Sequence, residues 1–129
     1  MLRVLVLSAV MGVAIAGHAE AKKKPECQTE RCEARVDKRQ CSQRRVIPCI
    51  RYAARRHRQP LADMIRVARC ESGLDPFNYY AGHHGLYQFL GSTWATTPYA
   101  RHWIYSARYQ ALATAWMWSA GRRGEWACQ

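Results

Sequence analysis

The sequence predicts a mainly α fold: a small helical domain stabilised by disulfides, behind a basic, cysteine-containing N-terminal arm. Three observations carry this. Apolar residues recur at helical spacing in three segments after residue 45, and no region shows the alternation of a long strand. All six cysteines (Cys27, Cys32, Cys41, Cys49, Cys70 and Cys128) follow an export-like leader, and an even count in so short an exported chain implies bridges, with 15 possible pairings. Residues 22–45 hold Val36 as their only large apolar side chain, so they cannot bury a core.

The leader is residues 1–21. Arg3 supplies its positive start, Val4 to Ala16 its apolar run, and Ala19-Glu20-Ala21 a small-x-small cleavage site before Lys22. Its apolar core is too short for a membrane span, and no other stretch could cross a bilayer. A secreted or periplasmic protein without stable membrane insertion is therefore expected.

Residues 22–45 form the arm, with nine Lys/Arg against four Asp/Glu, ordered if at all by Cys27, Cys32 and Cys41. Composition shifts at Val46, where the domain of residues 46–129 begins. Pro48 suits the first turn of a helix running to about His57, with Val46, Ile50, Ala53 and Ala54 on one face. Arg51, Arg55 and Arg58 fall on another face, read as solvated. Gln59-Pro60 starts a second helix with Leu61, Met64, Ile65 and Ala68 at i, i+3, i+4, i+7. It ends near Glu71, stopped by Ser72-Gly73, with Asp75-Pro76 beyond. Residues 77–91 read as a loop rich in aromatics and glycine. Ser92 is a candidate N-cap for a short helix through Trp94. A last helix is expected from Ser106 to Ser119, closed by Gly121.

The net charge of +11 suits a polyanionic surface such as a cell wall, membrane or polysaccharide. It would also suit nucleic acid, but no helix-turn-helix, zinc-finger or single-strand-binding signature accompanies it, so nucleic acid is not an expected partner. No metal site is expected: no cysteines have C-x-x-C spacing, and His83-His84 lack a third ligand. No cofactor is implied, and a monomer is expected.

Glu71 carries the chemical signal. Glycoside cleavage needs an acid to protonate the leaving oxygen, and a glutamate retains its proton near neutral pH where the surroundings disfavour the anion. Glu71 ends an apolar helix face opposite the aromatic loop, which suits that task. Asp75 follows four residues later, but Gly73 and Pro76 break the helix between them, so it reads as turn chemistry. Asp63 and Glu125 have no motif around them.

From Ile50 to Cys128 the chain resembles the soluble lytic transglycosylase and resuscitation-promoting-factor domains of the lysozyme-like superfamily. The matching residues are Ile50…Ala53-Ala54…Gln59-Pro60-Leu61 and Ile65…Ala68-Arg69-Cys70-Glu71-Ser72-Gly73-Leu74-Asp75-Pro76. Gly85-Leu86-Tyr87-Gln88-Phe89, Ser92-Thr93-Trp94 and Trp118-Ser119-Ala120-Gly121 follow. The resemblance implies a small lysozyme-like helical fold, Glu71 as the single catalytic acid, and Gln88 in a sugar cleft. Tyr87, Ser72, Tyr80 and Trp118 are the other expected substrate-binding residues. Where the family usually reads Tyr-Asn-Ala-Gly, this chain has Trp118-Ser119-Ala120-Gly121, which removes a phenolic hydroxyl near the acid. Of the tryptophans Trp94, Trp103, Trp116 and Trp118, one or two would reach the cleft and the rest the core. A bridge between Cys70 and Cys128 is implied, tying the tail to the active-site helix. Cys27–Cys49 and Cys32–Cys41 are the expected remaining pairs.

The implied activity is cleavage of the MurNAc-β-1,4-GlcNAc bond of peptidoglycan, with the sugar's 6-hydroxyl closing a 1,6-anhydro ring. Water as acceptor would make the enzyme a hydrolytic lysozyme (muramidase). A reading of another class is a non-catalytic cationic module that binds wall or membrane. Expected partners are peptidoglycan glycan strands and anionic cell-wall polymers.

Overall fold

The structure, a computed structural model, describes residues 27–128. The leader with its cleavage site near Ala21, and residues 22–26 of the arm, lie outside the described residues.

The described part of the arm is a helix, α1 (Glu30–Gln40). Thr29 caps it by accepting the Cys32 N–H at 3.2 Å. Glu30 and Glu33 lie in its first turn and Lys38 and Arg39 in its last, each favourably placed on the helix dipole. It docks on α2 (Val46–His57) through charge rather than apolar area. Asp37, only 3% exposed, lies 2.9 Å from Arg51 and 3.6 Å from Arg55, and Arg55 also pairs with Glu33. The domain boundary expected at Val46 therefore cuts through a packed helix pair. Arg51 and Arg55, read as a solvated face, are the clamps.

The bridges are Cys27–Cys32, Cys41–Cys49 and Cys70–Cys128. The last matches expectation; the expected Cys27–Cys49 and Cys32–Cys41 pairs are replaced by two local ones. Helix geometry explains the correction. Cys32 is in α1 and Cys41 caps its far end, so they stand about 13 Å apart along the axis, well beyond disulfide reach.

Helix α2 begins two residues ahead of Pro48, which the first turn tolerates. It buries Ile50, Ala53 and Ala54. Helix α3 (Leu61–Ser72) buries Met64, Val67 and Ala68. It ends at Gly73, whose φ of 66° lets its N–H turn back to the Arg69 carbonyl. The segment read as a loop holds three two-residue strands, β1 (Tyr79–Tyr80), β2 (His83–His84) and β3 (Phe89–Leu90), forming an antiparallel sheet in that order. Helix α4 (Gly91–Ala95) is capped by Leu90 rather than Ser92. Helix α5 (Ala107–Ser119) packs against α2 and is buried along most of its length. Leu86, Tyr87, Phe89, Trp94 and Trp126 complete the core. Among the described residues no helix is long and apolar enough to cross a membrane.

Candidate active site

The C-terminal turn of α3 presents Glu71, half-buried, to a groove walled by the small sheet and the C-terminal tail. The inner part of the groove, about 180 Å³, includes Glu71, Gln88, Phe89, Met117, Glu125 and Trp126 in its lining. The outer part, about 440 Å³, adds Asn78, Tyr79 and Tyr80. Glu71, His83 and Gln88 line both parts. Among the described residues Glu71 forms no ion pair. One carboxylate oxygen accepts the Cys128 backbone N–H at 3.4 Å. The Cys70–Cys128 bridge, beginning one residue from Glu71, holds that N–H in place.

Gln88 stands in the left-handed backbone region (φ 52°), a conformation that costs a non-glycine residue about 1–3 kcal/mol and recurs at ligand sites. Its side chain helps hold the turn by donating to the Gly85 carbonyl at 2.9 Å. Gly85 has φ 73°, and a Cβ there would fall inside the Gln110 amide group. That buried amide organises the motif. Gln110 Nε2 donates to the carbonyls of His84 and Ile104, and Oε1 accepts the Tyr87 N–H. Helix α5 thus fixes the loop that carries Gln88.

The structure brings Glu71, Gln88 and Tyr80 together. It does not bring the other three expected substrate-binding residues to the groove. Tyr87 is fully buried, its hydroxyl donates to the Met64 carbonyl at 3.0 Å, and burial pushes its pKa well above the ordinary 10. It is a core residue joining the loop to α3. Ser72 is also buried and donates to the carbonyls of Ala68 and Leu86, so it is a strut between helix and loop. Trp118 is 6% exposed, packs edge-on against Trp126 and lies beneath the Arg123 guanidinium, 4.4 Å from its ring centroid. Its indole helps seat the tail rather than a ligand.

Asp75 accepts the Phe77 N–H at 2.8 Å, the turn role expected of it. Asp63 pairs with Arg66 and Arg123, which hold its carboxyl below the ordinary range. Two groove residues stand out only in three dimensions. His83 donates Nδ1–H to the Ala81 carbonyl at 3.2 Å. Glu125, engaged by Arg122, is a second carboxylate on the groove wall. No local motif marks either. Gln110 does carry a sequence signal, as a lone amide within an apolar helix.

Comparison with protein-family models, with curated proteins and with solved structures finds no match for this chain.

Proposed function

We propose that the protein is an exported peptidoglycan-cleaving enzyme, a lytic transglycosylase in which Glu71 is the single catalytic acid. The observation that carries the reading is a carboxyl group at a helix end, unpaired by any cation among the described residues, in an open groove it shares with Gln88. Apolar Phe89, Met117 and Trp126 on the inner wall offer a sugar ring apolar surface to pack on beside Glu71. The motif resemblance and the +11 charge, which attracts an anionic wall, support the same reading.

In this mechanism Glu71 gives its proton to the glycosidic oxygen between MurNAc and GlcNAc. The resulting carboxylate then takes the proton of the MurNAc 6-hydroxyl as that oxygen closes a 1,6-anhydro ring. The Cys128 N–H on Glu71 Oε1 stabilises the intermediate carboxylate and leaves the other oxygen for the substrate. Glu125 on the same wall gives the hydrolytic alternative some footing, since a second carboxylate could activate water. Arg122 engages both Glu125 carboxylate oxygens, which opposes that role.

Digestion of purified peptidoglycan, read by mass spectrometry, tests the proposal. Anhydro-muropeptides are expected, and reducing ends in their place would convert the reading to muramidase. Soluble fragments from neither route, with wall binding retained, would leave the cationic binding module.

A further inference from the structure

Among the described residues the exposed large hydrophobic side chains are Phe77, Tyr79, Tyr80, Leu90 and Trp103. Four of the five are aromatic. Outside the groove their rings continue into an arc. Tyr79 packs on His84 (centroids 5.1 Å apart), His84 edge-on against Tyr105 (5.4 Å), Tyr105 against Trp103 (5.8 Å) and Trp103 against Phe77 (5.9 Å). Phe77 is 54% exposed, Tyr79 61% and Trp103 59%.

The arc is held in place. His84 Nδ1 and the Tyr105 hydroxyl are hydrogen-bonded at 2.8 Å, and Gln43 donates to the Tyr105 carbonyl at 2.6 Å. Trp103 starts a tight turn in which its carbonyl accepts the Ser106 N–H. Rings fixed in the free protein lose little freedom on binding. A contiguous exposed apolar patch marks an interaction site, and this one joins the groove, because Tyr79 lines the groove's outer part.

The ring chemistry selects the occupant. The arc continues from the Glu71 groove through Tyr79, so a chain that fills the groove runs on over these rings. Flat apolar faces edged by hydroxyl, imidazole and indole N–H groups match pyranose rings, which pair apolar C–H faces with hydroxylated edges. We infer that Phe77 and Trp103, continuing from Tyr79, His84 and Tyr105, form an accessory glycan platform. It binds the part of a β-1,4-linked N-acetylhexosamine chain that extends beyond the outer end of the Glu71 groove. The platform rests on the reading of that groove as a glycan cleft, and its role is affinity for long chains.

Calorimetric titration of the Glu71→Gln protein with the N-acetylglucosamine hexamer and dimer separates binding from turnover. Adding Trp103→Ser or Phe77→Ala is expected to weaken hexamer binding about tenfold, the loss of one anchor worth about 1.4 kcal/mol, and to leave the dimer unchanged. Both side chains are largely exposed, and a thermal melt verifies the fold. Hexamer binding indifferent to both substitutions, or equal weakening for hexamer and dimer, overturns the platform. So does self-association in sedimentation that Trp103→Ser abolishes, which would assign the patch to a second copy. If the wild type cleaves peptidoglycan yet hexamer affinity ignores Trp103 and Phe77, the platform falls and the cleft reading stands. If no cleavage occurs but hexamer affinity still depends on them, the platform stands and the catalytic reading falls.

Discussion

Replacing both Cys70 and Cys128 with serine is expected to destabilise the domain and to disable its groove in one step. The bridge closes a loop with a sequence separation of 58. In the chain-entropy account, opening such a loop raises the entropy of the unfolded state enough to cost about 4 kcal/mol. For a domain of this size each kcal/mol moves the melting temperature by about 4 °C, so the midpoint falls by roughly 15 °C. Other contacts on the tail oppose the loss. Trp126 is buried and donates its indole N–H to the Tyr87 carbonyl at 2.9 Å, and burying a large side chain contributes about 1.5–3 kcal/mol. Those contacts slow fraying of the tail but leave the unfolded-state entropy unchanged. Below the new midpoint, catalysis is expected to fall as well, because Cys128 supplies the N–H to Glu71 and Glu125 and Trp126 wall the groove. Circular dichroism melts and turnover, each with and without a dithiol reductant on the wild type, measure both parts. A midpoint within a few degrees of wild type, with normal turnover, would refute the reasoning: the tail would then be held by its packing alone.

Asp37→Ala is expected to cost about 2–3 kcal/mol in a denaturant titration. It removes the buried end of the clamp and leaves Arg51 and Arg55 partly exposed and able to rehydrate. Gln110→Ala is expected to cost about 3 kcal/mol and to lower turnover, since it strands the buried Tyr87 N–H and the carbonyls of His84 and Ile104; a stable, fully active variant would show that the Gly85–Gln88 turn holds itself. Burial, and secondarily Arg56, lower the His57 pKa from its ordinary 6.5. The unfolded chain therefore binds that proton at higher pH than the folded one, so stability falls as pH drops below about 6.5. A melting series from pH 7.5 to pH 5 checks this, with His57→Gln expected to flatten the slope in that window.

The legible elements are those whose own residues bury them. Helices α2, α3 and α5 show their apolar faces in sequence, and Gly73 marks the end of α3 because the turn there needs a positive φ. Helix α1 was illegible because its anchors are Asp37 and two arginines from the next helix, so its composition reads as that of an unfolded arm. The three strands escape detection because two residues carry no period. At the site, Glu71 and Gln88 were legible as motif residues, and the structure places both in one groove. Tyr87 and Ser72 belong to the same motifs, yet proximity to a motif residue does not decide direction. Both side chains turn inward to satisfy buried carbonyls. Glu125 and His83 reach the groove through the tail and the sheet, long-range placements that no local spacing encodes.

Turnover of purified peptidoglycan by Glu71→Gln, beside wild type and Asp75→Asn, tests the central claim most directly. The glutamine keeps the shape and the Cys128 hydrogen bond but has no acidic proton. The account predicts a melting temperature close to wild type and a loss of about 100-fold or more in kcat, with Asp75→Asn retaining most activity. A folded Glu71→Gln protein that releases fragments at the wild-type rate would contradict it.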